Sequence, residues 1–244
     1  MVEVVFTGKS DKGLRRNNNE DAFTCEAALG FAALADGMGG AAAGEKASEF
    51  FIHAALEAFS NGGAATEPDT LRQVQTAYAT AGQKILSHVR EHPEHSGMGC
   101  TGELLVFYGR SFAVGHIGDS RTYLFRQGSL KQLTRDHSLV QDQVDRGIIT
   151  SEQARTHHLR HVILKAVGIG ANLEVDLIKG EANAGDIFLL CSDGLTDMID
   201  DAAIADILSW PLALAMRVEG LIDAANSAGG KDNVTAVLGE VVQG

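Results

Sequence analysis

The sequence predicts an α+β fold of antiparallel strands and grouped helices. Three observations predict it. Apolar runs of strand length recur near both ends of the chain and through its middle. Two helical segments lie together between residues 44 and 91. The order (strands, two helices, strands, helices, strand) lacks the steady βαβ alternation that marks a parallel sheet.

The first strand is expected over 2–6, and the second and third over 22–25 and 31–35, joined by a turn around Gly30. Residues 44–59 have helical composition. Residues 70–91 carry apolar side chains at Leu71, Val74, Ala77, Tyr78, Ala81, Ile85 and Val89, the spacing of a longer helix. Between the two helices, 60–69 reads as a loop. Strands follow over 101–107, 111–116, 121–126 and 130–133, with Gln127-Gly128 as a hairpin turn. Residues 138–154 are polar and helical in pieces. Strands are expected over 173–178 and 186–190, helices over 201–225, and a last strand over 233–241.

Composition bounds the function. The 244 residues include 45% hydrophobic ones, enough for a substantial core, and only three prolines, so no linker offers a domain boundary. A net charge of −12 argues against nucleic acid and against an anionic membrane surface. Cys25, Cys100 and Cys191 form no CxxC pair and fit a reducing compartment. No apolar stretch approaches the ~20 residues of a membrane span, and no secretory leader precedes the first strand. A cytoplasmic protein is expected.

The chemistry is written in four aspartates. Asp36, Asp119, Asp193 and Asp232 stand in FAALADGMGG, FAVGHIGDSR, IFLLCSDGL and GGKDNVTAVL, each at a glycine- or asparagine-bearing turn beside an apolar run. One Asp-Gly turn is ordinary, since Asp bonds its own backbone and Gly accepts positive φ. Four of them imply that distant strand ends pool their oxygens, the donors that hard divalent cations such as Mg²⁺ and Mn²⁺ take. Arg16-Asn17-Asn18-Asn19-Glu20-Asp21 adds a cation and two anions within six residues. Carboxylates with a guanidinium nearby are what metal-assisted attack on a phosphate requires. A phosphate cradle at Gly37-Met38-Gly39-Gly40 is the weaker alternative, because no Lys-Ser/Thr ends it.

The ordered set RRNNNEDAF, LADGMGG, GMGCTGELL, GHIGDSR, LTRDHSLV, LCSDGL and GGKDNVT resembles the bacterial branch of the metal-dependent, type 2C Ser/Thr protein phosphatases, from about Gly8 to Val237. The resemblance implies a four-layer α/β/β/α sandwich of two antiparallel sheets flanked by helices. It implies one catalytic domain over 1–244, with a flap near 145–168. Residue by residue, Asp36 matches the carboxylate that bridges two metals, and Gly37 the residue lending its carbonyl. Asp193 and Asp232 match further ligands of the first metal, and Glu20 the acid beside the second. Asp119 matches a ligand of a third, weaker ion shared with Asp193. Arg16 matches the arginine that clamps the phosphate. The implied reaction is hydrolysis of phosphoserine and phosphothreonine by direct attack of a metal-bridging hydroxide, with Mn²⁺ or Mg²⁺ as cofactor. Two ions ~3.5–4 Å apart lower the pKa of a shared water toward ~7. The implied partners are phosphoproteins, including a Ser/Thr kinase that a monomeric enzyme opposes. A binding-only relative and a phosphatase dedicated to a single signalling partner are the alternatives; the complete ligand set argues against the first.

Three departures stand out against this resemblance. Met38 and Ala41 occupy places where some relatives carry His, which leaves the proton donor undefined, with metal-bound water as one candidate. Cys100 varies the GMGTT pattern. The flap reads His157-His158-Leu159-Arg160-His161-Val162 where relatives read HPxRNV. His88, His92 and His95 fall near the end of a helix, with the first two at i, i+4, a spacing that can build a zinc site. They are expected to be solvated surface, as are His157, His158 and His161.

Overall fold

In a computed structural model that describes residues 2–39, 43–60, 66–170 and 174–243, eleven strands form two antiparallel sheets. The first sheet runs β1 (Glu3–Asp11), β11 (Val234–Gln243), β10 (Ile187–Cys191), β7 (Arg121–Arg126) and β8 (Ser129–Gln132). The second runs β2 (Asp21–Glu26), β3 (Phe31–Met38), β5 (Gly102–Tyr108), β6 (Ser111–Ile117) and β9 (Asp176–Glu181), with short β4 (Gly99–Cys100) paired to the end of β3. Helices α1 (Ala43–Phe59) and α2 (Glu67–Glu91) cover the second sheet. Helices α5 (Asp193–Thr196), α6 (Asp201–Leu208) and α7 (Leu214–Ser227) lie on the first, and α3 (Leu139–Asp145) and α4 (Ser151–Arg155) follow β8 in the segment before β9.

Strand alternation builds the layers. On β3, Phe31, Ala33 and Ala35 face the α1–α2 core, while Ala32 and Leu34 face the other sheet. On β10, Ile187, Leu189 and Cys191 face α6 and α7, while Phe188 and Leu190 meet Phe107, Phe112 and Val237 between the sheets. The inner strands β3, β5, β6 and β10 are buried on both faces and read as near-continuous apolar runs, whereas the outer strands β1, β2, β8 and β9 are only partly covered and carry polar residues. A polar bridge also crosses the sandwich: buried Glu103 on β5 accepts from Thr122 of β7 and pairs with His116 of β6.

The structure corrects several boundaries. Helix α2 begins at Glu67, because Thr66 caps it by accepting from the Asp69 N–H, and Pro68 sits in the first turn where no amide partner is needed. Of the expected loop over 60–69, residues 61–65 lie outside the described residues. The expected strand over 173–178 sits three residues later, in register with β6 from Ser111↔Glu181 to His116↔Asp176, and Leu173 lies outside the described residues. Asp186 directly precedes β10: its carbonyl accepts from the Val241 N–H of β11 and its carboxylate from Arg126. The Gln127-Gly128 turn has φ of 51° and 78°, the double positive pair of a tight hairpin. No described helix is long and apolar enough to cross a membrane.

Candidate active site

All seven residues singled out in the sequence (Arg16, Glu20, Asp36, Gly37, Asp119, Asp193 and Asp232) line a single cavity of about 880 Å³ at one edge of the sandwich. They arrive on five separate pieces of backbone (Arg16 with Glu20, Asp36 with Gly37, and Asp119, Asp193 and Asp232 singly), so the pooling of oxygens comes from tertiary structure.

Asp36 lies inside β3 rather than in a turn, directly opposite Asp21 of β2. Strand pairing continues through Gly37↔Cys100 and Met38↔Gly99. Thr101 clasps Asp36 twice: its N–H donates to the Asp36 carbonyl at 2.8 Å, and its Oγ1 accepts from the Asp36 N–H at 2.8 Å. Thr101 is 1% exposed and its hydroxyl also bonds Ser120 at 2.7 Å, which ties β3 to the Asp119 loop. Gly37 is required by space. A Cβ there would stand 2.1 Å from the Gly44 carbonyl oxygen and 2.7 Å from that of Glu20.

The two ends of the chain close the opposite wall. Asn233, beside Asp232, accepts from the Glu20 N–H at 2.8 Å and donates to the carbonyls of Lys12 and Asn18. This carboxamide holds the segment that carries Arg16 and Glu20. Arg16 donates to Asp232 at 2.6 Å from a half-exposed position at the mouth. Beneath, Asp21 accepts from Ser192 at 2.7 Å and Thr235 at 2.6 Å, while its other oxygen is buried without a hydrogen-bond partner. Asp193 opens the one-turn α5 directly after β10, with a carboxylate among that helix's first residues.

The segment over 145–168, expected from the resemblance to be a flap, reaches the site from a third side. Isolated bridges tie Val167 to Cys100 and Ile163 to Ser138. His137 accepts from the Gly118 N–H, and its carbonyl accepts from Leu164. Flap residues Arg160 and His161 lie 3.4 and 3.5 Å from Asp197, and His161 is 4.0 Å from Asp193. The flap histidines therefore divide. His157 and His158 stack on each other, whereas His161 lines the cavity, contrary to the expectation of plain surface. Family patterns put Asn at this position, so sequence alone carried no signal for the contact. Asp21, Asp197 and Asn233 were likewise not singled out as ligands or braces. Asp21 stood in the quoted acidic segment, and Asn233 in the GGKDNVT motif, which were the available signals. Ala41 and Gly40 lie outside the described residues.

The electrostatics fit a cation. Burial pushes the Asp36 carboxyl well above the usual range, and Asp21, Asp193, Asp119 and Asp232 push it further. Burial raises Asp119 likewise, with Asp193 and Asp136 adding to it. Burial lifts Asp21 to about 7 against the pull of its two hydroxyl donors. Carboxylates that raise one another, an oxygen-only donor set and an orphaned buried carboxylate oxygen are the features of a site built for hard divalent ions. Cys100 and Cys191 are buried and their thiols are held protonated by burial, which excludes them as nucleophiles.

The comparisons with known proteins agree with this geometry. The family described as protein phosphatase 2C matches residues 12–238. The serine/threonine protein phosphatase PstP of Mycobacterium tuberculosis is 43% identical over 239 residues; the match covers 97% of this chain and 45% of that protein, so the chain spans about half its length. A crystal structure of the M. tuberculosis phosphatase PstP/Ppp superposes with a TM-score of 0.93 at 40% identity, with both chains fully covered. A second crystal structure, of the PstP catalytic domain in complex with two manganese ions, gives a TM-score of 0.91 at 39% identity over the whole of both chains.

Proposed function

The chain belongs to the protein phosphatase 2C family, and from that premise we propose that it is a Mn²⁺- or Mg²⁺-dependent phosphatase of phosphoserine and phosphothreonine in proteins. The observation that carries this reading is the convergence of four aspartates, Glu20 and Arg16 on one oxygen-lined cavity.

In this reading Asp36, the Gly37 carbonyl, Asp193, Asp232 and Glu20 would hold two core ions, and Asp119 with Asp193 would hold a third, weaker one. Bound there, the ions supply a water acidic enough to attack at neutral pH and offset the charge of the phosphate. Arg16, at the mouth, binds the phosphate through its planar fork, which a lysine would do less well. Thr101 and Asn233 keep Asp36 and Glu20 in place. The leaving alkoxide takes its proton from water, since Met38 offers none. Residues 1–244 make one catalytic domain, and the region 145–168 is its flap. The enzyme works as a cytoplasmic monomer in signalling, and its partners are phosphoproteins, among them a Ser/Thr kinase whose action it reverses.

The test is hydrolysis of phosphothreonine, phosphoserine and phosphotyrosine peptides by the purified chain, with Mn²⁺ and with chelator. Release of phosphate from the first two, abolished by chelator, is the expected result. Turnover that survives chelation, or that favours phosphotyrosine, refutes the proposal.

A further inference from the structure

The histidines at the end of α2 are not scattered surface groups. The helix ends at Glu91, and His92 continues its path by donating its N–H to the His88 carbonyl at 2.8 Å. Pro93 then stops the helix, and a single 3-10 turn over Pro93–His95 folds the chain back. The fold-back brings His95 onto the last helical turn. His88 Nε2 and His95 Nδ1 lie 2.9 Å apart, and the two rings stack at 5.1 Å. The His92 ring stands 4.4 Å from that of His88 and 5.7 Å from that of His95. Three imidazoles thus occupy one corner, where like-charged protonated rings would repel.

Two further observations prepare them as ligands. His92 Nδ1 is 3.3 Å from the Glu94 carboxylate, an acceptor that favours hydrogen on Nδ1 and so leaves Nε2 for a metal. This is the carboxylate–histidine arrangement that orients metal-bound imidazoles. His88, half-buried against the edge of Phe50, is held below its ordinary pKa by burial first, then by His92, His95 and Lys46, so its ring is neutral.

We propose that His88, His92 and His95 bind one borderline divalent ion of the zinc, nickel or copper class. Imidazole nitrogen selects these ions, whereas Mg²⁺ and Mn²⁺ take oxygen. None of the three residues lines the carboxylate cavity, so the site is separate in place and in metal preference. A tetrahedral ion with bonds of about 2.0–2.1 Å needs its nitrogens about 3.3 Å apart. The His88–His95 pair opens slightly to accept it, and the exposed His92 ring, whose nitrogens stand farther from that pair, turns to bring Nε2 to the ion while Nδ1 keeps facing Glu94. The site also abuts the polypeptide that feeds the active site. The His95 carbonyl accepts from the Met98 N–H at 3.1 Å, and the next residue opens β4, which pairs with Gly37 and Met38.

The experiment titrates Zn²⁺ calorimetrically into the untagged full chain already saturated with Mn²⁺, followed by zinc X-ray absorption on the loaded protein. One equivalent with imidazole nitrogen in its shell is expected. His88→Asn and His95→Asn should each weaken it at least tenfold, and Glu94→Gln by about tenfold, the cost of removing such an outer partner. Mn²⁺-dependent hydrolysis and thermal midpoint without zinc should stay at the parent level in all three, which also certifies their folding. Zinc uptake equal to the parent in the two histidine variants, or a shell of oxygen alone, overturns the proposal. An unchanged affinity in Glu94→Gln overturns the orienting role given to that carboxylate.

Discussion

Thr101 offers the sharpest test of how the fold positions Asp36. Thr101→Val keeps shape and volume but removes the hydroxyl that accepts from the Asp36 N–H and bonds Ser120. The site is 1% exposed, so water does not replace it. Leaving the Asp36 amide unsatisfied costs ~1–3 kcal/mol, and losing the Ser120 bond ~1 kcal/mol more. The total of ~2–4 kcal/mol is below the ~5–15 kcal/mol of a typical domain, so the variant folds. At ~2–4 °C per kcal/mol for a chain of this size, the melting point should fall by roughly 5–15 °C. Because Asp36 moves with its amide, the Mn²⁺ concentration for half-maximal activity should also rise. The assay is urea unfolding of Thr101→Val, Ser120→Ala and the double variant, each paired with a Mn²⁺ titration. A shared network predicts a coupling above ~0.5 kcal/mol between the two sites. A loss below ~1 kcal/mol with an unmoved Mn²⁺ midpoint would refute the reasoning.

Asp36→Asn should leave a folded protein, as circular dichroism will check, and cut turnover by more than ~100-fold, because two ions contribute several kcal/mol; activity within ~10-fold of the parent contradicts two-metal catalysis. Arg16→Ala should raise the phosphopeptide KM and the inhibition constant of phosphate more than it lowers kcat, and an unchanged KM would remove Arg16 from the phosphate site. His161→Ala should keep phosphopeptide turnover within ~10-fold, since a true general acid is worth ~10²–10⁴-fold; a larger loss with aryl phosphate hydrolysis spared would make His161 the acid. Burial opposes charge on His116, but Glu103 and the Arg135 carbonyl outweigh it and hold the imidazolium up to about 8. Its stabilisation is complete below the ordinary value of ~6.5 and is lost as pH rises through 8, so His116→Gln should flatten the stability profile in that window by up to ~2 kcal/mol. Equal slopes for parent and variant would count against the buried pair.

The inner strands were legible because they are buried on both faces, which makes β5, β6 and β10 dense apolar runs. The strand over 121–126 matches its expected bounds. The four aspartates were legible through their glycine and asparagine neighbours. What stayed hidden depends on contacts between segments distant in sequence. Asp36 read as a turn residue because Gly37 follows it, yet β4 extends the pairing past the glycine. The cap at Thr66 was obscured by Pro68, which reads as a breaker but fits a first helical turn. His161 and Asp197 meet only because the flap folds over α5. The three histidines at the end of α2 were visible as a spacing, but the turn at Pro93 that folds His95 back was not.

The pairing of β1 with β11 also sets a schedule for making the molecule. Ser10 and Thr235 bond each other across 225 positions. At ~5–20 residues per second a ribosome needs roughly 10–45 s to bridge that interval. Throughout it β1 waits without its partner, and Arg16 and Glu20 lack the Asn233 brace that holds their segment. Loop closure of this length is slow even after synthesis. A chain whose synthesis has not yet passed β11 therefore lacks the assembled cavity, and with it the chemistry proposed for that cavity. Strand β11 works as a checkpoint for the segment that β1 opens: the site is whole only when these two strands have met.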